Sequence, residues 1–190
     1  MQKRVFCLVS VFLIGALFLS SCGCIKETKE EPKEVFGGEK MKTLPRGWKW
    51  YENEEWGLRI GYPWNWRVGP NPYDSHIPPR EIYFKKGWSL KIGPLMFDIY
   101  SKEVGEDFDL MEYTVKKSRC GEEEVKDVIV RGVPGKQTKR IVETEGTERF
   151  TDVTTFVVYK GRLFKFFFRE EEAGKIGYRM LDTVEFIGRK

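Results

Sequence analysis

The stretch RFTDVTTFVVYKGRLFKFFFR, from Arg149 to Arg169, carries the strongest pattern in the chain. It is rich in Val, Thr and Phe, residue types that suit a pleated, half-buried surface. Lys160-Gly161 interrupts it where two antiparallel strands need a two-residue reversal, with glycine supplying positive φ. In the second arm Phe164, Phe166 and Phe168 point one way while Lys165 and Arg169 point the other. One face of the resulting sheet is therefore covered, and the other is at least partly wet.

Working outward, Val128–Arg131 and Gln137–Thr144 extend this hairpin upstream into an antiparallel meander, with Gly146 placed at a reversal. Downstream, Glu170 to Glu172 open a helix where negative charge favours the start, and Ile176, Met180 and Leu181 form its apolar stripe. Phe186 and Ile187 close the chain as a short strand. Earlier, Phe108, Met111 and Val115 fall at helical spacing within Asp107–Arg119. Leu58, Ile60 and Tyr62 alternate with Arg59 and Gly61 in a first strand ended by Pro63. After a loop from Gly69 to Pro79, Glu81–Lys86 and Ser89–Ile92 read as two strands joined at Lys86-Gly87. Strands interspersed with two helical segments predict an α+β domain.

The N-terminus has a different texture. Lys3 and Arg4 precede the apolar run Val5 to Leu19, which has the length and flank of a secretory leader. An uncleaved anchor is the alternative, since counting Ser20 to Ile25 brings the run near the roughly 20 residues a spanning helix needs. Leu19-Ser20-Ser21-Cys22 resembles the lipobox of secreted lipoproteins, which implies cleavage before Cys22 and acylation of its sulfur; Cys24 is the competing acceptor. Two buried acyl chains would give stable anchoring at the outer face of the membrane. Residues 26–46 carry five Lys, five Glu, two Pro and an adjacent Gly pair, and read as a solvated tether reaching up to about 70 Å. Val35 and Phe36 are its only sizeable apolar pair before Met41. The expected organisation is thus a leader over 1–21, a lipidated N-terminus and tether over 22–46, and one folded domain over 47–190.

The whole chain has 190 residues, 33 Lys and Arg against 29 Asp and Glu, and 41% hydrophobic residues. That hydrophobic content excludes a disordered chain, and the small net charge of +4, two of it in the leader, gives no support to a nucleic-acid binder. Glu outnumbers Asp 22 to 7 while Asn and Gln total five, a skew resembling proteins adapted to high temperature. Of four cysteines only Cys120 lies in the body, so no disulfide framework or zinc spacing is present, although a Cys24–Cys120 bridge stays open.

Gly57-Leu58-Arg59-Ile60-Gly61-Tyr62-Pro63-Trp64-Asn65-Trp66 resembles the opening Gly-x-x-Ile-x-Tyr-Pro-x-x-Trp motif of the PsbP superfamily. The long hairpin Arg149–Phe168, with Gly161-Arg162-Leu163-Phe164 at its turn, is similar to the closing half of that family. Thr183-Val184-Glu185-Phe186 stands at its last element without the family's serine. The resemblance covers about residues 50–188. It implies an α-β-α sandwich with a central antiparallel sheet flanked by helices. It also implies non-enzymatic binding or assembly work, as in extrinsic photosystem II subunits, lipid-anchored DcrB-type proteins and a nuclear Ran-binding relative.

Candidate chemistry is sparse. The one histidine, His76, sits in Asp74-Ser75-His76 of a Pro-rich loop, and adjacency in sequence does not make a catalytic triad. With no second His and no paired Cys, no catalytic residue, metal or cofactor is expected. Asp74, His76 and Arg80, together with Trp48 and Trp50, form a weak candidate partner or ligand site. The aromatic cluster Trp48, Trp50, Tyr51, Trp56, Tyr62, Trp64 and Trp66 reads mainly as packing on the sheet. Trp48 and Trp50, ahead of the first strand, are the members expected to be exposed. Glu122 to Glu124 read as a solvated turn. The expected function is that of a lipid-anchored extracytoplasmic binding or assembly factor for a membrane-associated protein complex. The alternative is a solute- or metal-binding accessory lipoprotein, for which Asn71–Arg80 would have to form part of a pocket.

Overall fold

The alternation that singles out Arg149–Arg169 becomes a hairpin whose reversal is made by Lys160 at φ 48° and Gly161 at φ 71°, both left-handed. The computed structural model describes residues 34–36, 43–76, 79–87, 95–119, 121, 124–143 and 149–187. The leader, Cys22, Cys24, Cys120, Gly146 and the expected strand Ser89–Ile92 lie outside the described residues. In chain order the elements are β1 (Glu34–Phe36), β2 (Trp48–Asn53), β3 (Leu58–Pro63), β4 (Trp66–Pro70), β5 (Glu81–Lys86), β6 (Leu95–Glu103) and α1 (Leu110–Ser118). They continue with β7 (Val125–Val130), β8 (Val133–Glu143), β9 (Arg149–Tyr159), β10 (Arg162–Arg169), α2 (Glu170–Ala173), α3 (Lys175–Thr183) and β11 (Glu185–Phe186).

The fold is α+β and mostly sheet. Eight strands pair in the order β1-β7-β8-β9-β10-β6-β5-β4, antiparallel except for the parallel β1–β7 pair. A second sheet of three strands has the order β11-β3-β2. Phe164, Phe166 and Phe168 are fully buried on one face of the large sheet, as their alternation requires. On that face the Phe168 ring meets Tyr178 of α3 edge-on at 4.9 Å, and Tyr51 and Tyr62 of the small sheet pack edge-on against Phe84 of β5. The opposite face meets α1, whose Tyr113 packs edge-on against Phe156 of β9 at 5.7 Å.

Three readings change. A strand precedes the one expected to be first: Trp48–Asn53 pairs with β3 along its whole length. Trp66–Pro70 and Leu95–Glu103 are strands that sequence leaves unassigned, the first because Gly69 and Pro70 read as the start of a loop, the second because Asp98 interrupts its apolar residues. The span 26–46 is not wholly a solvated tether, since Glu34–Phe36 pairs with β7 and Phe36 is only 7% exposed. The Phe36 ring stacks on Tyr178 with centroids 6.2 Å apart, and the Arg131 amide donates to the Phe36 carbonyl at 2.7 Å. One apolar contact outweighs a charged neighbourhood.

Two substitutions test this packing. A Cβ built on Gly135 would lie 2.6 Å from the carbonyl oxygen of Phe156 on the adjacent strand, a backbone atom that cannot swing away. Gly135→Ala is expected to lower unfolding free energy by about 1–3 kcal/mol in urea denaturation; an unchanged midpoint would show that β8 and β9 separate without cost. For Phe36→Ala, hydrogen exchange is expected to accelerate at the Arg131 amide while the β9–β10 amides keep their protection. Uniform acceleration would instead make Phe36 a support of the whole fold.

Candidate functional site

Strand register builds the site on the face opposite the phenylalanines. Because residues paired across strands share a face, Glu81, Tyr100, Lys165 and Phe156 form one row across β5, β6, β10 and β9. Tyr83, Asp98, Phe167, Thr154 and Thr138 form the next row, and Arg169, Asp152 and Arg140 a third. The polar positions of the central strands thus converge because the intervening ones are committed to the core.

Helix α1 lies along this face. Asp109 caps its start, accepting from the Glu112 amide at 2.9 Å, and Arg119 ends it in the left-handed region at φ 54°. At its C-terminal end the Thr138 hydroxyl donates to Ser118 at 3.0 Å, tying the helix to β8. Between α1 and the sheet opens a cleft of about 440 Å³, within the range of ligand-binding pockets. Phe156 and Phe167 give it apolar lining, Tyr100, Tyr113 and Thr154 bring hydroxyls, and Glu81, Asp152, Lys117, Arg140 and Lys165 bring charge.

These charges are not equally available. Glu81 accepts from the Asn71 side-chain amide at 2.6 Å, and Asp152 accepts from Arg169 at 3.3 Å. Lys117, Arg140 and Lys165 make no ion pair among the described residues. Lys117 and Lys165 lie over the rings of Tyr113 and Phe167, at 5.8 and 5.2 Å. Beside the cleft row, Asp98 is buried, and its Oδ1 has no hydrogen-bond partner. Burial pushes its carboxyl up to about 7 against the pull of Lys165, with Glu81 and Asp152 adding to the rise. The Tyr83 hydroxyl is pushed up to about 12, by burial first and then by the charges of Glu81 and Asp98.

The residues singled out from sequence lie elsewhere. Asp74 accepts from the His76 amide at 3.0 Å, His76 Nδ1 at 2.7 Å and the Arg80 amide at 2.7 Å. These bonds, the His76 amide foremost, hold its carboxyl down at about 2. Asp74 therefore organises the loop, and His76 and Arg80 line a second cavity with Trp56, Ser101, Glu103 and Arg162. Arg162 there is already matched by Glu103 at 3.1 Å and Ser101 at 3.1 Å. Neither Trp48 nor Trp50 lines either cavity. Both are half-buried strand residues, Trp50 under the Arg59 guanidinium at 4.6 Å and Trp48 under that of Arg179 at 5.3 Å. Among the described residues the exposed tryptophan is instead Trp64, at 68%, in the turn between β3 and β4. Sequence missed the cleft because Tyr113, Arg140 and Lys165 come from three distant elements. The outward setting of Lys165 and Arg169 was the one signal that led toward it.

Among the described residues, no three His, Cys, Asp or Glu side chains converge as a metal site requires, and no helix is long and apolar enough to cross a membrane. No model of a known protein family matches the chain, and no curated protein matches it. Solved structures do. A protein from Bacteroides thetaiotaomicron VPI-5482 matches with TM-score 0.54 and 14% identity, over 75% of this chain and 49% of that one. The present chain thus spans about half the length of that protein. The cyanobacterial PsbP (CyanoP) of Synechocystis sp. PCC 6803 matches with TM-score 0.52 and 12% identity, over 78% of this chain and 98% of its own. At such identities the likeness is one of fold, and the fold is PsbP-like.

Asp98 makes stability depend on pH. Its folded value of about 7 exceeds the unfolded value near 3.8, so the folded state holds the extra proton. The contribution is full below about pH 4 and is lost as pH rises through about 7. Lys165, Glu81, Asp152 and Tyr83 are the charged and titratable groups that face it. The melting temperature is expected to fall from pH 5 to pH 8, with Asp98→Asn flattening that slope; parallel profiles for the two proteins would remove Asp98 as the cause.

Proposed function

We propose that this chain is a non-enzymatic binding protein, an accessory or assembly factor for a membrane-associated protein complex. It is held at the extracytoplasmic face through lipid on Cys22. On this reading the covering of the large sheet on both faces is the α-β-α sandwich of PsbP-like proteins, and the chain is a divergent member of that superfamily. The observation that carries the binding role is the cleft under α1, where cations with no ion pair and aromatic hydroxyls with no hydrogen-bond partner among the described residues stand over an apolar lining. A rigid sheet presents these groups at little cost in ordering, which favours recognition. The likeness to CyanoP supports a binding scaffold only by analogy of fold.

The docking of Glu34–Phe36 bears on the tether. Only residues 23–33 would separate an acylated Cys22 from the pinned strand, so the reach is at most about 40 Å instead of about 70 Å.

A photoreactive phenylalanine analogue at Tyr113, introduced in the full-length chain in its native membranes, tests the reading. The expected result is an acylated Cys22 by mass spectrometry and one reproducible membrane-complex crosslink. The same analogue at exposed Tyr73, in the loop after β4, should not give that crosslink. Recovery of an unmodified chain from the soluble fraction, with no crosslink from Tyr113, would overturn both the anchor and the assembly role.

A further inference from the structure

We infer that the cleft under α1 receives a short acidic segment of the partner, its carboxylates meeting Lys117, Arg140 and Lys165 and an aromatic or aliphatic side chain resting on Phe156 and Phe167. This rests on the cleft being the partner-binding surface. Charge complementarity decides the class of occupant. Asp152 is paired with Arg169, while Glu81, bonded to the neutral Asn71 amide, keeps its charge, so one carboxylate stands against three cations that have no ion-pair partner among the described residues. The cleft accordingly offers uncompensated positive charge despite its mixed composition.

The neighbourhood strengthens that field. Lys102 of β6 sits over the Tyr113 ring at 4.4 Å, and its ammonium is held below its ordinary range, by burial first and by the charge of Lys117 second. Positive groups therefore crowd around Tyr113, and a carboxylate entering there relieves their repulsion. The hydroxyls of Tyr100 and Tyr113 have no hydrogen-bond partner among the described residues and can donate to the same carboxylates. A volume of about 440 Å³ admits a few side chains and not a whole strand or helix, so the occupant is a short stretch of chain. Phe156 and Phe167 give it an apolar anchor of the kind that dominates contact energetics.

The test uses the full-length protein and a fluorescent peptide of Asp, Glu and Phe, beside a control in which Asn and Gln replace the acids. The acidic peptide is expected to bind saturably and to be released by about 0.5 M salt, while the neutral control binds at least about tenfold more weakly. Lys117→Glu and Arg140→Glu, both at exposed positions, should each weaken binding by about tenfold without moving the urea midpoint. Lys175→Glu, exposed at the start of α3, should leave it unchanged. Equal binding of the neutral peptide, or no effect of either cleft reversal, would overturn the inference. So would displacement of the peptide by free glutamate or inorganic phosphate at equal concentration, since a small anion would then suffice. If Tyr113 still crosslinks to a membrane partner in any of those cases, the assembly role survives and only the acidic chemistry falls.

Discussion

Phe97 is the contact on which the rest of the structure depends. Its ring lies 5.8 Å from Phe168 and nearly parallel to it, 6.0 Å from Phe84, and 6.3 Å from Phe166. Through Phe84 it reaches Tyr51 and Tyr62 of the small sheet, and through Phe168 it reaches Tyr178 of α3, against which Phe36 stacks. One aromatic series therefore joins both sheets, the C-terminal helix and the N-terminal strand. The period of a strand is two, so seating Phe97 in this series forces its neighbour Asp98 onto the opposite face. A slip of one residue in β6 would exchange a phenylalanine for a carboxylate in the core, and nothing in that core could satisfy the charge. Core packing thus fixes the register, and the register assembles the cleft.

This coupling explains what sequence revealed. Where one strand carries its own alternation, as with Phe164, Phe166 and Phe168, the buried face is legible without a partner. The reversal at Lys160-Gly161 and the cap at Asp109 are legible for the same reason, since each is a local backbone requirement met by a local residue. Leu95–Glu103 is different, because Asp98 looks like a loop signal until its neighbours across the sheet are known. Glu34–Phe36 is more extreme. Charged residues around it argue for solvent, and only the distant ring of Tyr178 and the edge of β7 make it a strand. The likeness to a PsbP-like fold was readable for a further reason: it rested on the order of several short segments, and order survives where identity has fallen to 12%.

The site was less legible than the fold because its parts come from tertiary placement. The lone histidine is the only imidazole in the chain, yet its loop is organised around Asp74, and His76 faces a cavity where Arg162 is already balanced by Glu103. The groups that matter in the cleft are ordinary Lys, Arg and Tyr residues. What distinguishes them is that α1, which supplies Tyr113 and Lys117, packs where β6, β8 and β10 present Tyr100, Arg140 and Lys165, a property no single segment reveals. The outward-facing Lys165 identified the wet face but not the helix that makes part of it a cleft. A fold shared with CyanoP sets out the sheet and its coverings; the charge pattern under α1 belongs to this chain's own side chains.

Asp98 binds these two levels together. Its placement follows from Phe97, but its proton belongs to the cleft, because Lys165 pulls toward ionisation while burial and the charges of Glu81 and Asp152 oppose it. Below about pH 7 the carboxyl is neutral, and the full charge of Lys165 is available to an incoming anion. As the carboxyl ionises, a negative charge appears in the row beside that lysine and partly offsets it, leaving Lys117 and Arg140 to carry more of the field. The same ionisation weakens the fold, since a buried carboxylate with an unpartnered oxygen is costly. Stability and positive charge in the cleft therefore decline together as pH rises. An acidic segment seated against Lys165 would add negative charge near Asp98 from the solvent side, which disfavours ionisation of its carboxyl. Occupancy of the cleft and protonation of the buried carboxyl would then reinforce each other, so that the strand register set by core packing also governs how strongly the site holds an anion.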